Sequence, residues 1–173
     1  MENLSLIEPD CSLENQYLEM LEDWKLNDAV HIPWYISMET NNFKVSVEKL
    51  KGFSKGIGIQ EGFVENSTYW LANNDKKILG ALNIRHRLNE FYINYGGQIG
   101  YGIRPGERRK GYAKKALGMG LDICRNMGFK EVLLCCNSEN SGSINTILAN
   151  GGVLDSESEF SGEKIQRYWI DLH

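Results

Sequence analysis

The stretch Gln98-Ile99-Gly100-Tyr101-Gly102-Ile103-Arg104-Pro105, continued by Gly106-Glu107-Arg108-Arg109-Lys110-Gly111-Tyr112-Ala113, decides how this chain is read. Its first half predicts a strand over Gln98 to Arg104, stopped by Pro105. From Gly111 the period changes. Ala113, Ala116, Leu117, Gly120, Leu121 and Cys124 fall on one helical face, and Gly128 supplies a C-terminal stop. A glycine-spaced strand thus runs through a basic loop into an amphipathic helix. The N–H groups at a helix start carry partial positive charge and point outward, which makes an anion site. Gly111 lets a phosphate approach the main chain, Ala113 keeps the first turn small, and Arg108, Arg109 and Lys110 add positive potential. The ligand implied is a phosphate or pyrophosphate. A solvated basic helix start with no ligand is the competing reading of the loop alone.

Two other phosphate motifs fail here. Gly106 and Gly111 have P-loop spacing, but Tyr112-Ala113 stands where Lys-Ser/Thr is required. A dinucleotide fingerprint needs its glycines between strand and helix. Here Gly100 and Gly102 lie inside the strand, and Pro105 takes the place of the third glycine.

Outward from this segment, Ile78 to Arg87 and Thr68 to Ala72 read as strands joined by an Asn73-Asn74-Asp75 turn. A loop rich in Asn, Tyr and Gly spans about 88–97. Leu4 to Ile7 predicts a first strand, and a helix near 12–26 starts at Ser12 as N-cap. Residues 27–42 are irregular and carry Pro33-Trp34-Tyr35; a weaker helix covers about 43–54. On the other side, Val132-Leu133-Leu134-Cys135-Cys136 is a continuous apolar strand. A short helix over 141–150 follows, ended by Gly151-Gly152. Two last strands, Val153 to Ser158 and Lys164 to Leu172, complete the chain; the faces of the latter do not separate. The order predicts a single α+β domain with one parallel crossover.

With 173 residues, 42% hydrophobic and 24% charged, the chain is long enough for one sizeable core and shows no low-complexity segment. A formal charge of −4 argues against non-specific nucleic-acid binding. Cys11, Cys124, Cys135 and Cys136 form no C-x-x-C pair and read as buried reduced thiols. Met1-Glu2-Asn3-Leu4 lacks the pattern of a signal peptide, and no apolar run approaches the ~18 residues of a membrane span, so the expected place is the cytoplasm.

Arg108-x-x-Gly111-x-Ala113 resembles the Arg/Gln-x-x-Gly-x-Gly/Ala signature of the GNAT superfamily of N-acetyltransferases. Its setting strengthens the resemblance. It follows Ile103-Arg104-Pro105, opens a helix, and precedes an apolar strand and Asn140-x-x-Ser143. The run Ile99-Gly100-Tyr101-Gly102-Ile103-Arg104-Pro105 is also similar to a group of bacterial predicted acetyltransferases. The resemblance implies a mostly antiparallel central sheet flanked by helices, with a splayed parallel strand pair that holds acetyl-coenzyme A. Residues 1–62 would form the acceptor side and 67–173 the cofactor core. It also implies roles. Gly97, Gly100 and Gly102 would permit a bulge and close approach of pantetheine, unless they only make room for a neighbouring aromatic. The amide near Ile103 would hold the acetyl carbonyl. Amides from Arg109 to Ala113, with Arg108, Lys110 and Tyr112 in the same loop, would take the pyrophosphate. Asn140 and Ser143 would contact the far side of the pantetheine, or else serve a turn and a helix start. Acetyl transfer goes to an amine, on a small molecule or a protein. No metal, nucleic acid or membrane is implied, and an exposed terminal strand could serve a homodimer.

The family pattern breaks at two positions. The tyrosine that many members place seven residues after the asparagine is Ile147 here, and a carboxylate common on the glycine-rich strand is Gln98. Neither can move a proton. The remaining candidates are His86, Glu90 and Tyr101. Each has a plainer reading, as a surface histidine, a solvated loop carboxylate and a core aromatic. Trp34 and Tyr35 would flank the cofactor mouth, as an apolar wall, a cation-stacking pair or buried core. A non-catalytic acyl-coenzyme A-binding module on the same fold is the alternative function.

Overall fold

The computed structural model describes residues 3–37 and 41–173. Met1 and Glu2 of the N-terminal stretch, and positions 38–40 of the irregular segment, lie outside the described residues. The element order is β1 (Leu4–Ile7), α1 (Glu14–Asn27), α2 (Phe43–Phe53), β2 (Asn66–Asn73), β3 (Ile78–Arg85), β4 (Ile99–Ile103), α3 (Tyr112–Asn126), β5 (Glu131–Asn137), α4 (Ser141–Leu148), β6 (Val153–Phe160) and β7 (Glu163–Asp171). The turn between β2 and β3 forms as expected. The Asn73 side-chain oxygen accepts the N–H groups of Asp75 and Lys77, and Lys76 takes the left-handed backbone that closes it. The cap before α1 is Asp10 rather than Ser12. Its carboxylate accepts the Ser12 N–H at 2.7 Å, and a short 3-10 turn over Cys11–Leu13 leads into the helix.

The expected mostly antiparallel arrangement is present, split into a four-stranded sheet β1-β2-β3-β4 and a three-stranded sheet β5-β7-β6. α1 and α2 cover one face of the first sheet through Tyr17, Met20, Trp24 and Val47, which pack on Trp70 and Ala81. α3 covers the other face. Its Leu117, Leu121 and Cys124 meet Leu82 and Ile84, then continue into Val132, Leu134, Ile147 and Ile170. Gly120 is needed there because a Cβ would come within 2.7 Å of the Leu82 side chain. The unresolved faces of the last strand are settled by this core. Tyr168, Ile170 and Leu172 are buried, and the Trp169 side lies partly open.

The two sheets meet at the start of β4. The Gln98 N–H donates to the Leu133 carbonyl at 2.6 Å. Gly97, with φ of +66°, lies so close to β5 that a Cβ would stand 2.8 Å from the Leu133 oxygen and 2.9 Å from the Cys135 nitrogen. Further along, the Tyr101 hydroxyl reaches Ser143 beyond the end of β5, so the two strands run the same way and diverge. A segment read from sequence as loop, Tyr92–Gly96, is a π-helical turn that delivers the chain to this vertex.

Candidate active site

The hydrogen bonding of β4 sets the site. Its ladder to β3 places Gly80 opposite Ile103, Leu82 opposite Tyr101 and Ile84 opposite Ile99, while the Arg104 N–H donates to Leu79 and the Arg85 N–H to the Gln98 carbonyl. Main-chain groups alternate sides along an antiparallel ladder. Gly100 and Gly102 therefore bond toward β3, and Ile99, Tyr101 and Ile103 turn theirs toward β5. In β5 the same alternation, fixed by the bonds Leu172 N–H to Lys130 and Ser138 N–H to Lys164, turns the main chain of Leu133, Cys135 and Asn137 toward β4. Beyond Gln98 and Leu133 these two rows of amides face each other across a widening slot.

The slot ends at the basic loop, which is held by partners far away in sequence. Arg104 donates through Nε to Asp23 at 2.7 Å, and the Gly106 N–H reaches the same carboxylate at 3.1 Å. The Glu107 carboxylate accepts from Lys77 at 2.5 Å and from Lys110 at 2.7 Å. The Lys110 and Lys77 hydrogen bonds hold the Glu107 carboxyl below its usual 4.5. Arg108 donates to the Ile103 carbonyl and to Asp28, and its guanidinium lies 4.7 Å from the Trp24 ring centre. Arg108 and Lys110 are thus tied into the loop itself. Arg109, in left-handed backbone, has no ion pair among the described residues. Gly111 (φ +80°) starts α3, and no atom lies within 4 Å of where its Cβ would be. Tyr112 and Ala113 begin the helix, and a Lys115 N–H to Gly111 bond marks its first turn. The N–H groups ahead of that bond, together with Arg109, form the anion-attracting end.

On the α4 side, the Asn140 side chain accepts the Ser143 N–H at 3.0 Å and so caps the helix. The Ser143 hydroxyl pairs with Tyr101 Oη at 2.9 Å across the slot. Burial pushes the Tyr101 phenol up to about 12. Ile147 is core, packed on Gly152, and does not reach the slot. His86 bonds through Nε2 to Ser67 at 2.9 Å, and burial lowers its pKa. Ser67 shares the Ile84 and Leu82 face, so His86 belongs to the face covered by α3. Glu90 is exposed beside the π-helical turn. The three candidates are not gathered at one point: Leu82, the partner of Tyr101, stands four residues from His86, about 13 Å along the strand. Burial raises the Cys135 and Cys136 thiols to about 11, which removes them as ready nucleophiles, whereas Cys11, expected to be buried, is exposed in the short turn before α1.

Gly100 and Gly102 turn their Cα faces toward α1. A Cβ on Gly100 would stand 3.4 Å from Tyr35 and from both terminal nitrogens of Arg85; one on Gly102 would crowd Pro33 and Trp24. Tyr35 is thus buried beside the strand. Its neighbour Trp34, edge-on at 5.6 Å, lines a cavity of about 310 Å³ with Phe53, Phe63, Lys49 and Asn66. Sequence reading missed Arg85, Asp23, Asp28 and Glu107. The one signal was a charged residue, Arg85, at the end of the otherwise uncharged strand Ile78–Ile84.

The sequence model of the acetyltransferase (GNAT) family matches residues 19–151. The chain belongs to the GNAT family. No curated protein sequence matches it. Solved structures share the GNAT fold at low identity. The microcin C7 self-immunity acetyltransferase, in complex with acetyl-CoA and AMP, is 18% identical, with a TM-score of 0.72 over 97% of this chain and 92% of that one. The ribosomal L7/L12 α-N-protein acetyltransferase, in complex with coenzyme A, is 15% identical, with a TM-score of 0.70 over 97% and 93%. The spermidine N-acetyltransferase from Vibrio cholerae, with CoA and spermine, is 16% identical, with a TM-score of 0.66 over 98% and 95%. Among the described residues no helix is long and apolar enough to cross a membrane, and no group of three metal-binding side chains occurs.

Proposed function

We propose that this GNAT protein is a cytoplasmic N-acetyltransferase that moves the acetyl group of acetyl-CoA to a primary amine by direct attack in a ternary complex. The observation that carries the reading is the slot itself, with two facing rows of main-chain amides closed at Gln98 and Leu133 and opening on the free space at Gly111. The pyrophosphate would sit on the α3 N-terminus with Arg109, and the pantetheine between Tyr101–Ile103 and Cys135–Asn137. Three of the neighbouring structures hold acetyl-CoA or CoA in their own complexes.

In the reaction the amine nitrogen bonds to the acetyl carbon, the carbon–sulfur bond breaks, and the thiolate takes up a proton as the product nitrogen loses one. An outward amide of β4, at Tyr101 or Ile103, would accept the developing oxyanion. Tyr101, buried and protonated at neutral pH, would donate a hydrogen bond to the departing sulfur. Full proton transfer from a phenol near 12 to a thiolate of ordinary pKa about 8.5 is uphill, so its role is stabilisation rather than delivery. With Gln98 in place of a carboxylate, the amine would enter neutral and lose its proton to water, and positioning supplies most of the rate.

A second reading, a non-catalytic acyl-CoA-binding module, is favoured by one observation: Ile147 is locked in the core and offers no proton. Release of free thiol from acetyl-CoA in the presence of a panel of amines separates the two. Turnover supports the enzyme; tight binding with no turnover on any amine supports the module. The last strand of the chain, β7, lies between β5 and β6 and has no free edge, so the proposed homodimer would use the edge of β6 instead; sedimentation at micromolar concentration checks it.

A further inference from the structure

Arg85 is 7% exposed and has no carboxylate partner among the described residues. Its Nη1 donates to the carbonyls of Gly96 and Gly97, its guanidinium lies 4.7 Å from the Tyr92 ring centre, and its Nε is buried without a hydrogen bond. A guanidinium held in the interior with no anionic partner is costly, even with carbonyl acceptors and a ring beside it, and is a candidate for pairing with an incoming anion. Two positions along the same face of β3 is Asn83, 0% exposed. Its amide nitrogen donates to Asn66 at 2.7 Å and to Thr68 at 3.0 Å, which fixes the orientation, and leaves its oxygen buried and unpaired. An orphan cationic donor and an orphan acceptor therefore stand side by side. They flank Gly100, which pairs with Asn83 and where a Cβ would stand 3.4 Å from both terminal nitrogens of the guanidinium. This is the β4 face turned toward α1, at the vertex where the slot closes. Asn66, bonded to Asn83, also lines the aromatic cavity of Trp34, Phe53 and Phe63.

We infer that the acceptor is an amine with a carboxylate beside it, of α-amino-acid type, and with a flat or apolar side chain. The carboxylate pairs with Arg85, the neutral amine donates one N–H to the Asn83 oxygen, and the side chain enters the aromatic cavity. This rests on the acetyltransferase reading and names its substrate class. A free amine or a polyamine would leave the guanidinium unpaired, which a site built for a hydrogen-bonding group rejects strongly.

The test uses the full chain and four probes: L-phenylalanine, L-phenylalanine amide, 2-phenylethylamine and spermidine. Thiol release from acetyl-CoA is measured for each, with calorimetric binding of L-phenylalanine to the CoA-loaded protein as an independent readout. The expected result is a kcat/KM for L-phenylalanine at least about thirtyfold above that for 2-phenylethylamine and the amide. Arg85→Met should bring that ratio to within about threefold, and Arg85→Lys should restore part of it. The comparison among probes on the unsubstituted protein stands even where an Arg85 variant fails to fold. An equal or better rate with 2-phenylethylamine or spermidine overturns the inference. So does the absence of L-phenylalanine binding to protein that binds CoA. Failure to bind acetyl-CoA at all is instead the failure of the acetyltransferase reading, and binding of L-phenylalanine alone then decides the Arg85 site.

Discussion

The N–H of Gln98 donates to the carbonyl of Leu133 at 2.6 Å, and this bond joins the two sheets at the start of β4, before the strands diverge. Everything proposed for the site depends on that vertex. It holds because Gly97 alone can bring the chain in at φ +66° against the β5 backbone.

Gly97→Ala should therefore damage fold and site together. The new Cβ would meet the Leu133 oxygen and Cys135 nitrogen, both backbone atoms that cannot turn aside. A loss of about 2–3 kcal/mol in stability is expected, from strain and positive φ combined, and denaturant unfolding measures it. Gly111 makes the contrast. Its φ is also positive but its surroundings are empty, so Gly111→Val should cost about 1–2 kcal/mol, from backbone strain alone, while weakening acetyl-CoA by more than about tenfold. Calorimetry beside unfolding separates the two effects.

Acid should loosen the basic loop. The Lys110 and Lys77 hydrogen bonds hold the folded Glu107 carboxyl below its unfolded value near 4.5. A depressed carboxyl contributes stability that is present above the unfolded pKa and is lost as pH falls through the folded one. Stability should thus decline below about pH 4.5 as Glu107 takes up a proton, and Glu107→Gln should flatten that decline while lowering stability at pH 7. Unfolding midpoints between pH 7 and 3 for both proteins check the sign.

The Arg104–Asp23 pair is nearly enclosed, with side chains 11% and 12% exposed, and Asp23 also takes the Gly106 N–H. Arg104→Ala should cost about 3 kcal/mol, because Asp23 is left buried and unpaired. The double variant Arg104→Ala, Asp23→Asn should recover part of the loss.

Tyr101→Phe should lower kcat by about tenfold or more and leave KM for acetyl-CoA within about threefold, since it removes the proposed hydrogen bond to the leaving sulfur along with the Tyr101–Ser143 bond. His86→Ala should leave kcat and the pH–rate profile unchanged, because its Nε2 is engaged by Ser67 on the α3-covered face. A shifted acidic limb in His86→Ala would reinstate it as the base.

Much of this was legible in the sequence because its signals were local. The change of period at Gly111, the stops at Pro105 and Gly128, and the Asn73 turn each act through neighbouring residues, and each element they predict is present. What was not legible depends on long-range partners. The charge of Arg108 reads as free until Asp28, eighty residues away, claims it, and Glu107 is fixed beside Lys110 by Lys77, thirty residues away. The last strand alternates apolar residues on both faces, so only the core of α3 and β5 decides that Tyr168 and Ile170 point inward. The π-helical turn at Tyr92–Gly96 has no periodic signature, yet it supplies the Gly96 carbonyl and the Tyr92 ring that hold the Arg85 guanidinium.

The most direct measurement is a calorimetric titration of the protein with acetyl-CoA, with desulfo-CoA and free CoA as controls. The account predicts micromolar binding that the Gly111→Val substitution weakens by more than about tenfold. No heat at millimolar acetyl-CoA, from protein shown to be folded, would contradict it.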